Sequence, residues 1–234
     1  MVYFLGIGPG DPGLVTIKAA AIMRAADLIF VPQSNYEGRS VAEAIIAPHA
    51  PADRIRYMVV PMTRDREVLR RVYAAIADAI EEESRAGKEV ACVTLGDSML
   101  YSTAEHIGER LAERAIAHEY VAGIPSFVEA ANRFGFCLAL GRENTLTAPM
   151  PETVEEVEAL VKTHDTVVFM KINKRLPVLL DYVRRHGPAR AVLACRMGLP
   201  DEKMIDLTGD APPEEVGYLS LALIGQQGPG EPSP

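Results

Sequence analysis

Short apolar runs alternate with amphipathic helical patterns along almost the whole chain. In the first half, strands are predicted at residues 2–7, 28–31, 56–60, 90–95 and 119–121, and helices at 16–26, 41–46, 66–86 and 103–114. The helical pattern at 66–86 is followed by Gly87, a residue type common just after helix ends. Alternating strands and helices favour a parallel sheet covered by helices.

A second series of elements begins near Gly123. Helices are predicted at 126–134, 153–163 and 176–186, and strands at 144–148, 166–170, 191–195, 204–206 and 218–224. Pro and Gly turns separate these runs, so antiparallel strands are expected here. We therefore predict an α/β protein with two αβα domains, at 1–120 and 121–225, and a disordered tail at 226–234. A small-molecule site is expected in a cleft between the domains.

Composition excludes several classes of protein. A net charge of −8 over 234 residues argues against general nucleic-acid binding, which needs a basic surface. There is no run of 18 apolar residues and no signal-peptide pattern, which predicts a cytoplasmic protein without a membrane span. The cysteines Cys92, Cys137 and Cys195 have no metal or disulfide spacing, and the five histidines are scattered. We expect buried free thiols at Cys92 and Cys195 and no metal site.

The segment GIGPGDPGLVTIKAA, residues 6–20, follows the first predicted strand. It is not a dinucleotide-binding turn, because Asp11 takes the place of the third glycine and Pro9 has no N–H to donate. It also lacks the Gly-Lys-Ser/Thr of a nucleoside triphosphate loop. Two interpretations remain open for this segment alone: a structural turn, or a binding site of another kind.

Three further segments place similar residues at predicted strand ends. VTLGDSMLYST, residues 93–103, puts Gly96 and Asp97 after an apolar strand. VAGIPSFVEAANRFG at 121–135 and VVFMK at 167–171 follow in order. Ligands of α/β proteins bind beyond the carboxyl ends of the strands. The four segments together resemble the tetrapyrrole (corrin/porphyrin) methylases over nearly the whole chain.

This resemblance implies a two-domain α/β fold, dependence on S-adenosylmethionine, and a homodimer. The segments at 31–45, 61–65, 95–103 and 218–224 are most similar to members that methylate carbon 20 of precorrin-2, or of its cobalt-containing counterpart cobalt-factor II, in cobalamin synthesis. The chain departs from the family pattern at Ser98, where proline is more usual, and at 122–125.

The resemblance also implies site residues. It places around the cofactor Pro9, Leu95, Gly96, Asp97, Leu100, Ser102, Thr103, Pro125, Ser126, Met170 and Met197. Asp97 either meets the cofactor or caps the next turn, and Met170 either packs on adenine or belongs to the core. Carboxylates of the substrate are expected to meet basic side chains, first of all Arg39 and Arg64. Weaker candidates are Arg66, Arg133, Lys171, Lys174 and Arg175.

No catalytic side chain is assigned. The methyl donor is already an activated sulfonium, so positioning can supply much of the rate. Other functions stay open at this point: methylation of another corrin position, modification of diphthine or ribosomal RNA, a non-catalytic module that binds S-adenosylmethionine, and an oxidoreductase with a degenerate dinucleotide turn.

Overall fold

The computed structural model describes residues 1–33, 40–63 and 65–226. It divides into two compact units, Met1–Pro125 and Ser126–Pro234. β5 of the first unit continues to Val121 and pairs there with Leu5. Gln226, the first residue of the predicted tail, donates its backbone N–H to the carbonyl of Asp165 at 3.0 Å. The rest of that tail lies outside the described residues.

The first unit contains a parallel five-stranded sheet in the order β3-β2-β4-β1-β5. The strands are β1 Val2–Gly6, β2 Leu28–Gln33, β3 Ile55–Val59, β4 Val90–Thr94 and β5 His118–Val121. The helices are α1 Ile17–Ala25, α2 Val41–Ile46, α3 Arg66–Arg85 and α4 Ala104–Glu113. The predicted strands and helices of this half are confirmed to within a few residues at their ends.

Successive side chains along the strands of the first unit alternate between the two faces of the sheet, and a core lies on each face. Leu5, Ile29 and Val93 belong to the core under α1 and α2. Phe4, Phe30 and Cys92, their neighbours in sequence, belong to the core under α3 and α4. Successive side chains of a strand point to opposite faces, so strands covered on both faces are apolar throughout. This explains the continuous apolar runs in the sequence.

The second unit contains a mixed five-stranded sheet in the order β6-β7-β10-β8-β9. Its strands are β6 Thr145–Pro149, β7 Thr166–Met170, β8 Arg190–Cys195, β9 Lys203–Asp206 and β10 Ser220–Gly225, and its helices are α5 Ser126–Phe134, α6 Val154–Thr163 and α7 Leu176–His186. β10 runs antiparallel to β7 and β8, and β9 runs antiparallel to β8. The expected antiparallel strands are therefore confirmed.

Local sequence signals set the ends of these elements. Asp65 begins α3 by accepting the backbone N–H groups of Glu67 and Val68, and Thr153 with Glu156 forms a capping box at α6. Gly187 caps the end of α7, and its φ of 52° lies in the left-handed region that favours glycine. β10 begins two residues later than predicted, at Ser220, whose hydroxyl donates to the carbonyl of Gly217 at 2.8 Å.

Candidate active site

Three loops of the first unit meet beyond the carboxyl ends of β1, β4 and β5. These strands are adjacent and parallel, so their carboxyl ends lie at one edge of the sheet. The loops after β1 and β4 are joined by two backbone hydrogen bonds: Gly8 N–H donates to the Gly96 carbonyl at 3.1 Å, and Gly96 N–H donates to the Gly8 carbonyl at 2.7 Å. The opening glycine-rich segment thus joins a neighbouring strand-end loop.

Two glycines, Gly6 and Gly123, allow these loops to approach each other. A Cβ atom on Gly6 would lie 2.6 Å from the backbone nitrogen of Gly123 and 2.7 Å from the carbonyl oxygen of Gly96. A Cβ atom on Gly123 would overlap that same carbonyl oxygen. Only residues without a Cβ atom fit at positions 6 and 123. We call Gly6, Gly96 and Gly123 the glycine junction.

Asp97 ties the junction together. Its Oδ1 accepts the backbone N–H of Met99 at 2.9 Å, and its Oδ2 accepts the backbone N–H of Gly123 at 2.9 Å. Asp97 therefore caps the turn that follows it, which is one of the two roles expected from the sequence. The second hydrogen bond of its carboxylate reaches the loop after β5. Each carboxylate oxygen can accept a further hydrogen bond, so these contacts leave capacity for a ligand.

Ser98 stands where the family more often has proline. Its buried hydroxyl donates to the carbonyl of Val121 at 3.0 Å. Like Asp97, it connects the loop after β4 to the end of β5. Ser98 therefore helps to hold the joined loops together through a side-chain hydrogen bond.

Ser102 and Thr103 lie at the start of α4. The Ser102 hydroxyl accepts the backbone N–H of Ala104 at 3.0 Å and lies 3.3 Å from the hydroxyl oxygen of Thr94. Thr103 is the capping residue by position, without a side-chain bond to the helix. The structure therefore gives Ser102 a role in starting α4.

Gly96 differs from the other two glycines of the junction. Its φ is +70°, and a Cβ atom there would touch only Ile124 and Pro125, at 3.9 Å. A single Cβ atom would therefore fit beside this backbone, and the positive φ is what favours glycine here. Leu95, Leu100 and Pro125 are half-buried, and Pro9 is buried.

The remaining cofactor candidates lie in the second unit. Met170 ends β7, is half-buried, and packs against the core under α5, and its carbonyl accepts the Met150 N–H at 2.8 Å. Met197 follows β8 and is 4% exposed. β7 and β8 both run antiparallel to β10, so Met170 and Met197 lie at one edge of the sheet. Ser126 is the first residue of α5.

The basic candidates differ in their surroundings. Arg39 and Arg64, the preferred ones, lie outside the described residues. Arg133 is held by Glu202 at 2.7 Å and by Glu129 at 3.6 Å, and Arg175 is paired with Glu152. Lys171 has a positive φ of 58°. Within the described ranges, Arg66 and Lys174 have no ion pair or hydrogen bond through their side chains.

The structure also describes the thiols, the possible metal ligands and the length of the helices. Cys92 and Cys195 are buried and free, as predicted, and burial raises the pKa of both thiols. In the part of the chain that the structure describes, no three His, Cys, Asp or Glu side chains are grouped to hold a metal ion. Among the same residues, no helix is long and apolar enough to cross a membrane.

Comparison with known proteins decides the family. The family model for tetrapyrrole (corrin/porphyrin) methylases matches residues 1–212. The chain belongs to the tetrapyrrole methylases. The resemblance predicted from the four strand-end segments is thereby confirmed, and this methylase is an S-adenosylmethionine-dependent methyltransferase.

Individual relatives are similar to this methylase over nearly its whole length. A protein of Methanocaldococcus jannaschii named a probable cobalt-precorrin-2 C(20)-methyltransferase is 32% identical over 228 residues, which are 95% of each chain. A cobalt-precorrin-2 C(20)-methyltransferase of Salmonella typhimurium is 28% identical, over 97% of this methylase and 96% of the relative. The X-ray structure of a cobalt precorrin-4 methyltransferase superposes with a TM-score of 0.75 at 20% identity, over 96% and 94% of the two chains. The predicted two-unit α/β fold class is confirmed.

Proposed function

We propose that this methylase transfers a methyl group from S-adenosylmethionine to carbon 20 of precorrin-2, or of its cobalt-containing counterpart, in cobalamin biosynthesis. The observation that carries the proposal is the 32% identity to a probable C(20)-methyltransferase over 95% of both chains. The segments that resemble this group in the sequence, such as that at 95–103, include the loop that forms the glycine junction.

The cofactor is proposed to contact the residues that the resemblance implies for it. S-adenosylmethionine, when bound, supplies a methyl group on a positively charged sulfur. Gly96 gives the ligand access to the main chain, and Asp97 offers a carboxylate to a ribose hydroxyl or an amino group. Met170 and Met197 are proposed to supply apolar surface for the adenine. The other candidates are Pro9, Leu95, Leu100, Ser102, Thr103, Pro125 and Ser126.

The substrate is proposed to be held by basic side chains. A tetrapyrrole of this pathway carries many carboxylates, whereas this chain has a net charge of −8, so a local basic lining is needed. Arg39 and Arg64 are proposed for it, because they lie in segments similar to the C-20 group. Arg133 is a weaker candidate than the sequence suggested, since its guanidinium is already paired with two carboxylates.

The experiment that tests the function is methyl transfer with purified protein. Metal-free precorrin-2 and its cobalt-loaded form are incubated separately with S-adenosylmethionine, and the products are analysed by NMR for the methylated carbon. We expect methylation at carbon 20 with at least one form, and binding of S-adenosylhomocysteine but not NAD by calorimetry. A product methylated at another carbon, or the absence of transfer to both substrates, would reject the proposal.

Replacing Arg39 or Arg64 by alanine is expected to weaken tetrapyrrole binding by about tenfold to a hundredfold. Each loses a charge-assisted hydrogen bond that contributes roughly 1.5–3 kcal/mol. Binding of S-adenosylhomocysteine should stay nearly unchanged. Titration calorimetry with both ligands checks this, and Arg184→Ala on α7 is a matched control, because its side chain is 79% exposed. Wild-type tetrapyrrole affinity in both variants would show that the basic lining lies elsewhere.

A homodimer in the cytoplasm is also proposed, on the resemblance to the family. Sedimentation velocity at micromolar concentration tests the assembly. A monomer at that concentration would contradict it.

A further inference from the structure

The loop after β1 is fixed at two places on its way to α1. At its start, Gly8 is held to Gly96 by two backbone hydrogen bonds, at 3.1 and 2.7 Å. Further along, Pro12–Leu14 form a 3₁₀ turn. Pro9, which is buried and is one of the proposed cofactor contacts, lies between these two places. The position of Pro9 therefore depends on how firmly both are held.

His49 holds the second place from outside the loop. Its Nε2 lies 2.8 Å from the carbonyl oxygen of Pro12, which comes 37 residues earlier in the chain. A carbonyl oxygen can only accept a hydrogen bond, so Nε2 carries the proton and donates it. The same oxygen accepts the backbone N–H of Val15 at 3.3 Å, so both of its lone pairs are used.

The His49 ring is presented from a packed turn directly after α2. The backbone N–H groups of His49 and Ala50 both donate to the carbonyl of Ile46, at 2.8 and 2.9 Å. Ile46 is fully buried and belongs to the same core as Val15, and His49 itself is half-buried. A half-buried ring on a packed turn loses little entropy when it makes a hydrogen bond, so this contact can fix the loop.

The composition of the loop explains why it takes a donor from elsewhere. Proline has no N–H, and the loop contains Pro9 and Pro12. A segment with fewer N–H groups than carbonyls leaves acceptors that must be satisfied by other parts of the chain or by water. At Pro12 the imidazole of His49 supplies that donor.

We propose that His49 is a positioning residue, which holds Pro12 and thereby sets the path of the loop that carries Pro9 to the cofactor. The inference rests on the proposed function, in which Pro9 contacts S-adenosylmethionine. His49 acts through Pro12 and not on the ligand itself. A loop already ordered in the free protein costs less entropy when the ligand binds, so the bond from His49 should raise the affinity for the cofactor.

Two substitutions separate the hydrogen bond from the ring. His49→Phe keeps a planar ring but removes the donor, and His49→Gln keeps an N–H donor at about the position of Nε2. We expect His49→Phe to bind S-adenosylhomocysteine about threefold to tenfold more weakly, because a neutral hydrogen bond is lost, and His49→Gln to recover most of the affinity. Titration calorimetry measures the affinity at a temperature at which thermal unfolding shows each variant to be folded.

Hydrogen exchange measures the loop itself, without any ligand. The backbone N–H groups of Leu14 and Val15 close the 3₁₀ turn, and they should exchange faster in His49→Phe than in the wild type. His164→Phe is the matched control, because it removes a half-buried histidine whose Nδ1 lies 2.9 Å from the carbonyl oxygen of Leu160 in the second unit. It should change neither the exchange in this loop nor the affinity.

Wild-type affinity for S-adenosylhomocysteine in folded His49→Phe would overturn the inference, even if its melting temperature is lower, because His49 would then be structural only. Equal losses in His49→Phe and His49→Gln would also overturn it, since the ring and not the hydrogen bond would matter. Unchanged exchange in His49→Phe would show that His49 does not fix the loop. A wild-type protein that binds no S-adenosylhomocysteine would instead reject the proposed function and, with it, the role of His49 in cofactor binding.

Discussion

Replacing Gly123 by alanine is expected to destabilise the first unit severely and to abolish binding of S-adenosylhomocysteine. The new Cβ atom would overlap the carbonyl oxygen of Gly96 and lie 2.6 Å from the carbonyl carbon of Gly6. Both neighbours are backbone, which cannot rotate away as a flexible side chain can. Overpacking of this kind costs about 3 kcal/mol, which corresponds to a melting temperature lower by about 6–12 °C in a chain of this size.

Gly217→Ala is the matched control for this prediction. It makes the same chemical change at a position with nothing within 4 Å of the new Cβ atom and no positive φ. Calorimetric unfolding and titration with S-adenosylhomocysteine should both resemble the wild type in this control. If Gly123→Ala unfolds at the wild-type temperature, the three loops do not meet as closely as described. If it is stable and binds normally, the glycine junction does not border the cofactor site.

Replacing Asp97 by alanine is expected to have the next largest effect. It removes two charge-assisted hydrogen bonds, to the N–H groups of Met99 and Gly123. Each such bond contributes roughly 1.5–3 kcal/mol; because Asp97 is partly exposed, we expect an overall loss of about 2–4 kcal/mol in the free energy of unfolding. The proposed bond to the cofactor is lost too, which should lower the affinity for S-adenosylhomocysteine by about tenfold to a hundredfold.

Measuring affinity and stability separately distinguishes the two roles of Asp97. Titration is done well below the melting temperature of the variant, so that the protein is folded throughout. Ser98→Ala provides the comparison, since it removes a different bond between the same loops, the one from the Ser98 hydroxyl to Val121. If folded Asp97→Ala keeps wild-type affinity, Asp97 is a structural residue only. If its affinity falls no more than that of Ser98→Ala, loop geometry alone explains the loss.

Secondary structure could be predicted from this sequence because local patterns carry it. Strands covered on both faces are apolar throughout, and the helices show apolar residues on one face with caps such as Asp65 and Thr153. The order of the four strand-end segments was enough to indicate the family. Element ends were less predictable: β10 begins at Ser220, two residues later than its apolar pattern predicts.

The contacts within the site could not be predicted, because they join residues far apart in the sequence. Gly6 meets Gly123 only because β1 lies between β4 and β5, an order that no local pattern reports. Arg133 was a candidate for substrate carboxylates, but Glu202 reaches it from the turn after β8.

The position of β10 in the second sheet has a consequence for biosynthesis of the chain. β10 follows β9 in sequence but lies between β7 and β8 and pairs with both, whereas the first sheet is complete once Val121 has been made. During translation the first unit can therefore fold while later residues are still being added. The second sheet must wait for Ser220–Gly225, which are made after all of its other strands. Until then β7 and β8 each expose an unpaired edge, the state in which a nascent chain most needs protection from aggregation.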